Sequence, residues 1–274
     1  MSAYVVGVDG SSASDAAVVW AVGRAAALSV PVVLAHVIED EWGLAGSDFA
    51  REAVFAGETV VRKAQERVRG LDSAVDLSAR ILHGSPVWEL ANTCAPDDLL
   101  VVGTHKTGYL HGRVLGSRSV SIAATAPCSV VVVPVGRMTA RAGVVAGVVG
   151  AEGLDRAVAS AAREAGRVGE PLTLVHASPA RTLGVMVDAE ARQRELLGRS
   201  TEIARTVAPQ VVVHTRVSAR QPADALLDAS HYARMLVLEP SRHISPAASM
   251  LGSTTHDVLM NINSPVLIAR NDAI

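Results

Sequence analysis

Aromatic residues make up only 3% of this chain of 274 residues, so the stacking platforms that hold single-stranded nucleic acid are scarce. An excess of charge of one sign is missing as well. A formal net charge of −2 gives no electrostatic reason for attraction to DNA, RNA or an anionic membrane surface. Cys94 and Cys128 are the two cysteines, too few for a disulfide framework or a cysteine-based zinc site, and both are expected reduced and at least partly buried. There is no His-Glu-x-x-His run, and His105 and His111 lack the carboxylate or cysteine company of a metal centre, so no metal is predicted. No segment reaches the roughly 18–20 apolar residues that span a bilayer, and the opening Met-Ser-Ala-Tyr-Val-Val has no basic region before its apolar run. The expectation is a cytoplasmic protein with neither nucleic acid nor membrane as partner.

What is abundant is apolar surface. Hydrophobic residues reach 49% against 19% charged, enough to offset chain entropy in packed cores, and the length suits two domains of roughly 100–150 residues. A repeat supports that division. Val5-Val6-Gly7-Val8 and Asp15 recur 140 positions later as Val145-Ala146-Gly147-Val148 and Asp155, and Pro31–His36 meets Pro171–His176 at the same shift. Further on the shift is 136: Gly116-Ser117 meets Gly252-Ser253, and Val130–Val132 meets Val266–Ile268. Between Gly136 and Arg141 no apolar periodicity is visible, which places domains at 1–137 and 142–274.

Within the first half, short Val-, Ile- and Leu-rich runs alternate with longer helix-periodic segments, the pattern of a parallel sheet covered by helices. Strands are predicted at Tyr4–Asp9, Pro31–Val37, Val75–Ile81, Leu99–Gly103 and Ser129–Pro134, and helices at Ser12–Leu28, Asp48–Leu71, Pro86–Thr93 and Ser117–Ala124. Ser11 or Ser12 is the expected cap of the first helix, and Ser85 before Pro86 that of the third. The second half repeats the strands at Val144–Val149, Leu172–His176, Val211–Val217, Met235–Glu239 and Pro265–Arg270. Right-handed crossovers then favour two tandem doubly wound α/β domains, each a five-stranded parallel sheet in the order 3-2-1-4-5.

In that order the first and fourth strands are neighbours whose connections leave in opposite directions, so a ligand crevice is expected at their C-terminal ends. The first strand runs into Asp9-Gly10-Ser11-Ser12, a carboxylate suited to sugar hydroxyls beside a glycine that permits a tight turn. A plain helix-capping turn reads equally well there. The fourth strand runs into the glycine-rich stretch from Gly103 to Ser117, where amides, a hydroxyl cap and the cations Lys106, Arg113 and Arg118 suit a phosphate. It is not a P-loop, because Tyr109-Leu110 stands where Lys and Ser or Thr are required. Gly7-Val8-Asp9-Gly10 lacks the dinucleotide glycine spacing, which disfavours a nicotinamide cofactor.

These residues resemble the universal stress proteins over essentially all of both halves. That family's nucleotide-binding branch has Gly, two residues, Gly, nine residues, then Gly and Ser or Thr after the fourth strand; Gly103, Lys106, Gly116 and Ser117 fall on those positions. Asp9, the His36-Val37 segment and Ala126-Pro127-Cys128 match further family features. The resemblance implies a fold of the adenine-nucleotide alpha-hydrolase-like kind and an adenine nucleotide, ATP with or without Mg²⁺, as cofactor. It implies that Asp9 contacts the ribose with Gly10 and Ser11 beside it, that Val37 flanks adenine, and that Gly103, Gly116 and Ser117 hold the phosphates. Lys106 departs from the pattern: at a positive φ it costs roughly 1–2 kcal/mol, whereas a bond from its ammonium to phosphate contributes about 1.5–3 kcal/mol. The second half departs further, with Val149 for the aspartate and Glu239 and Arg242 on the first two glycine positions. One competent site per chain is expected.

No catalytic constellation is visible, since Ser11, Ser12 and Ser117 have no identifiable base and orienting acid; at most, slow ATP hydrolysis assisted by Mg²⁺ is expected. His36 and His176 recur at matched positions and read more readily as structural than as functional. The leading expectation is an ATP-binding regulatory or stress-response protein. The alternatives are a scaffold without nucleotide affinity, acting through oligomerisation and partners, and an ATP-cleaving ligase. For the last, Asp9-Gly10-Ser11-Ser12-Ala13 is too short a pyrophosphate loop. The apolar last strands, Val130–Val133 and Val266–Ala269, suit pairing of the two domains and a homodimer of chains. A segment from Glu41 to Phe49 is expected over the crevice.

Overall fold

The computed structural model describes residues 3–39, 48–105, 118–136, 141–148, 154–178, 186–240 and 251–270. The chain divides into two compact units, one running to Gly136 and the other from Arg137.

The first unit contains β1 (Tyr4–Gly7), α1 (Ser12–Leu28), β2 (Val32–Ile38), α2 (Asp48–Leu71), β3 (Leu77–His83), α3 (Pro86–Asn92), β4 (Leu99–Thr104), α4 (Arg118–Thr125) and β5 (Ser129–Pro134). Its sheet runs β3-β2-β1-β4-β5 and its strand pairs are parallel, with Tyr4 beside Val32 and Leu99, and Leu99 beside Ser129. All six residues of β5 are buried, as a strand with both faces covered requires. The expected doubly wound order is the one observed.

The second unit repeats the plan with β6 (Val144–Gly147), α5 (Leu154–Val168), β7 (Leu172–Ala177), α6 (Met186–Val207), β8 (Val213–Ser218), α7 (Pro222–Ser230), β9 (Met235–Leu238), α8 (Ser253–Met260) and β10 (Val266–Ile268). Its sheet runs β8-β7-β6-β9-β10.

Several bounds differ from the expected ones. β3 and β8 each begin two residues later than their apolar runs suggest, because the neighbouring strand sets the register: Val32 pairs with Leu77 and Leu172 with Val213. β1 stops at Gly7, although the Val8 N–H still donates to the Ala35 carbonyl at 2.9 Å before the chain turns away. Residues 40–47 of the segment expected over the crevice lie outside the described residues, and its last two, Asp48 and Phe49, open α2.

Ser11 is the cap of α1: its Oγ accepts from the Ser14 N–H at 3.1 Å, and Ser14 Oγ donates back to the Ser11 carbonyl at 3.0 Å. Ser85 has the extended dihedrals of a cap but makes no side-chain bond to α3; Pro86, with its fixed φ, starts that helix. At the other end of α1, Ser29 is left-handed (φ 54°) and its N–H reaches the carbonyls of Ala25 and Ala26. The matching residue after α5 is Gly169, also at positive φ.

Cys94 and Cys128 are free and buried. The Cys94 thiol donates to the Leu90 carbonyl at 3.3 Å, and the neighbouring Cys128 thiol together with burial pushes it far above the ordinary thiol range. In the second unit, Arg141 donates to the carbonyls of His231, Ala233 and Asn263 at 3.0, 3.3 and 2.6 Å. Glu170 accepts from the Gly143 N–H and from Arg234 Nε, the latter at 2.9 Å.

Candidate functional site

β1 and β4 are neighbours, and the helices that come after them pack with different partners, α1 with α2 and α4 with α3. A cavity of about 610 Å³ opens at this divide, within the 300–1,000 Å³ range of small-molecule sites. Its wall is contributed by the C-terminal ends of three strands: Val8, Asp9 and Ser11 after β1, His36, Val37 and Glu39 at β2, and Gly103, Thr104 and His105 at β4. Residues of α1, α3 and α4 add to it, among them Pro86, Leu90, Arg118 and Ser119. The floor is apolar, since a Cβ on Gly7 would meet Leu90 Cδ1 at 3.1 Å and Val102 Cγ1 at 3.4 Å.

The turn after β1 is built around Asp9. Gly10 takes φ +79°, which lets the chain reverse so that the Ser11 N–H donates to Asp9 Oδ1 at 2.9 Å. Burial works to raise the Asp9 carboxyl, but hydrogen bonding from Ser11, side chain and backbone, outweighs it and holds the group below its ordinary value. The carboxylate is therefore ionised and exposed at the cavity, able to accept from hydroxyl groups. Gly10 itself does not join the lining; a Cβ there would touch Val60 of α2 at 3.4 Å.

His36 is occupied by the fold. Its Nδ1 lies 2.7 Å from the Val8 carbonyl, and since a carbonyl only accepts, Nδ1 carries the proton. His176 repeats the bond in the second unit, 2.9 Å from the Val148 carbonyl. The structural reading of the repeated histidine thus holds, with the imidazole tying the first and second strands of each unit together beyond their ladder.

Gly103 has a packing reason to be glycine. A Cβ built on it would stand 2.0 Å from the Ala13 carbonyl oxygen and 2.8 Å from the Ser14 nitrogen, so only a bare backbone lets the first turn of α1 rest on the end of β4. Arg118, the first residue of α4, makes a two-pronged ion pair with Glu39: Nη1 to Oε1 at 2.8 Å and Nη2 to Oε2 at 3.0 Å.

Of the residues expected at the site, Asp9, Ser11, Val37, Gly103 and Arg118 share this one cavity. Lys106, Arg113, Gly116 and Ser117 lie outside the described residues. Glu39 was not anticipated; its position two residues beyond Val37, at the carboxyl end of a strand next to the switch point, is the signal that could have found it. Pro86 and Leu90 were missed because nothing local tells which helix face closes a crevice.

In the second unit the position of Gly103 is held by Glu239, whose carboxylate lies 3.5 Å from Arg156 of α5. Gly252, at φ +79°, precedes Ser253 at the start of α8, while Val149 and Arg242 lie outside the described residues. Among the described residues no cluster of three His, Cys, Asp or Glu side chains could hold a metal ion, and no helix is long and apolar enough to cross a membrane.

Comparison with known proteins gives the same answer for both units. Residues 3–134 and 143–270 each match the model of the Universal stress protein family. A universal stress protein of Mycobacterium tuberculosis strain H37Rv is 29% identical over 292 residues, an alignment covering 97% of this chain and 96% of the relative. A second from the same organism is 30% identical over 298 residues, covering 97% and 94%. Among solved structures, a universal stress protein from Archaeoglobus fulgidus superposes with a TM-score of 0.75 over 98% of this chain and 96% of its own, at 17% identity. One from Pseudomonas aeruginosa reaches 0.60 over 98% and 93%, at 18% identity; at such identities the likeness speaks for the fold alone. With two family matches covering nearly its whole length, the chain belongs to the universal stress protein family and carries that family's domain twice in tandem.

Proposed function

We propose that the first unit holds an adenine nucleotide in this cavity and that the chain serves as a nucleotide-responsive regulatory protein in stress. The observation that carries the reading is convergence: Asp9, Val37, Gly103 and Arg118, spread over 110 positions of sequence, line one cavity at the switch point of a doubly wound sheet. Asp9, kept ionised by its turn, suits the ribose hydroxyls, and Val37 supplies an apolar flank for the base. Bound ATP would bring its phosphates toward the Gly103 to Arg118 side, with Mg²⁺ as an accompanying ion where present. The second unit is a structural partner in this proposal, because Glu239 puts a carboxylate where the first unit has bare backbone and would repel a phosphate. Domains at 1–137 and 142–274, their pairing with each other, a homodimer of chains and a cytoplasmic location belong to the same proposal.

A second reading has one observation in its favour. Glu39 faces the cavity and already engages Arg118, as suits a scaffold that works through oligomerisation and partners without nucleotide. Denaturing freshly purified protein and identifying released small molecules by mass spectrometry, together with ATP titration calorimetry on the parent and an Asp9→Ala variant, separates the two. Released adenine nucleotide, or saturable ATP binding that Asp9→Ala weakens, supports the first; neither signal in the parent leaves the second.

A further inference from the structure

The Glu39–Arg118 pair has a consequence for any anion entering the cavity. Both residues line it, both prongs of the guanidinium are taken up by the carboxylate, and the side chains are 65% and 39% exposed for Arg118 and Glu39. The carboxylate is held by the Arg118 fork as a ligand carboxylate or phosphate would be, with two parallel charge-assisted bonds. An ion pair this exposed contributes about 0–1 kcal/mol, so a multiply charged anion has enough attraction to displace it. A neutral ligand has no means of doing so and no reason to.

We propose that Glu39 is a built-in competitor for the anion end of the site: it occupies Arg118 in the free protein and must be displaced by the phosphates of an incoming ligand. The inference rests on the nucleotide reading for the identity of the ligand, but its physical content is the contest between two anions for one guanidinium. Glu39 then selects against weakly charged ligands, because breaking its pair with Arg118 costs the same for one phosphate as for three, while the attraction to Arg118 at contact grows with ligand charge faster than the repulsion from a displaced, more distant carboxylate. The contest is electrostatic at a partly exposed position, so salt weakens both sides of it.

The test is calorimetric titration of the full chain, Glu39→Gln and Arg118→Gln with ATP, AMP, adenosine and tripolyphosphate, at low and at high salt. Glu39→Gln is expected to bind ATP and tripolyphosphate about two- to fivefold more tightly than the parent at low salt, with a smaller gain at high salt and no change for adenosine. Arg118→Gln is expected to lose affinity for the two polyphosphates and to keep it for adenosine. Unchanged or weaker polyphosphate binding by Glu39→Gln overturns the competitor role. If no chain binds ATP, the nucleotide reading fails; tripolyphosphate binding that appears or strengthens in Glu39→Gln still supports the competitor, and its failure to do so sinks that as well. Circular dichroism of each variant confirms that the fold is kept.

Discussion

The end of β4 and the start of α1 touch backbone to backbone at Gly103 and Ala13: a Cβ on Gly103 would sit 2.0 Å from the Ala13 carbonyl oxygen. No side chain can be accommodated there without moving a helix that is capped, buried along one face and packed on β1, β4 and β5. The glycine of the expected phosphate motif is thus needed by the scaffold before any ligand is considered.

Gly103→Ala is therefore expected to destabilise the first unit by about 1–3 kcal/mol through overpacking, read as a lower urea midpoint. The corresponding change in the second unit runs the other way in size, since Glu239 already carries a side chain. Glu239→Ala should leave the fold standing and cost less than Gly103→Ala.

Ser29 and Gly169 close matching helices in the left-handed conformation, and only Gly169 does so without a Cβ. The left-handed state costs a non-glycine residue roughly 1–2 kcal/mol, and glycine gives back about 0.5–1 kcal/mol in chain entropy. Ser29→Gly should therefore stabilise the chain by about 0.5–1 kcal/mol, visible as a raised thermal midpoint; a lowered one contradicts the cap assignment.

Glu170 supplies a pH dependence with a definite sign. Bonding from Arg234 holds its carboxyl below the ordinary 4.5, with the Gly143 N–H assisting and burial opposing. A depressed folded-state value means stability that is present above the ordinary value and lost as pH falls through the folded one. The urea midpoint of Glu170→Gln is expected below that of the parent at neutral pH, and the gap should close as the pH is taken below about 4.5. A gap that persists unchanged at low pH would show that the bridge contributes nothing through its charge.

His36 and His176 should both be seen as the Nδ1–H tautomer, because each Nδ1 faces a main-chain carbonyl, at 2.7 and 2.9 Å. Long-range ¹H–¹⁵N correlation spectra of the neutral protein read the protonated nitrogen directly. Finding Nε2–H on either ring would break the assignment for that unit.

Much of this was legible before any coordinates. The repeat at a shift of 140 gave two units with the same element order, and the alternation of Val-rich runs with helix-periodic segments led to the strand order that both sheets adopt. The cap at Ser11 and the place of the Asp9 carboxylate at the crevice followed from local turn chemistry and the switch-point rule, and the place of Val37 from the resemblance to the universal stress proteins. What local patterns could not supply was any relationship set by packing across the sheet. β3 slid two residues from its apolar run because Val32 fixed the register, and the helical Pro86 and Leu90 became cavity wall only through the way α3 lies on the strands.

By itself, then, the sequence determined the number of units, their class and the end of the sheet at which a ligand could sit, because periodicity, capping and crossover handedness act between residues close along the chain or through rules common to every parallel sheet. Tertiary structure alone decided that Gly103 is bare to admit Ala13, that the His36 Nδ1 is spent on Val8, and that Arg118, one of the three cations expected for a phosphate, is already held by Glu39, 79 residues away. Such contacts depend on the relative placement of separate elements to within an ångström or two, and that placement is settled by the packing of the whole core.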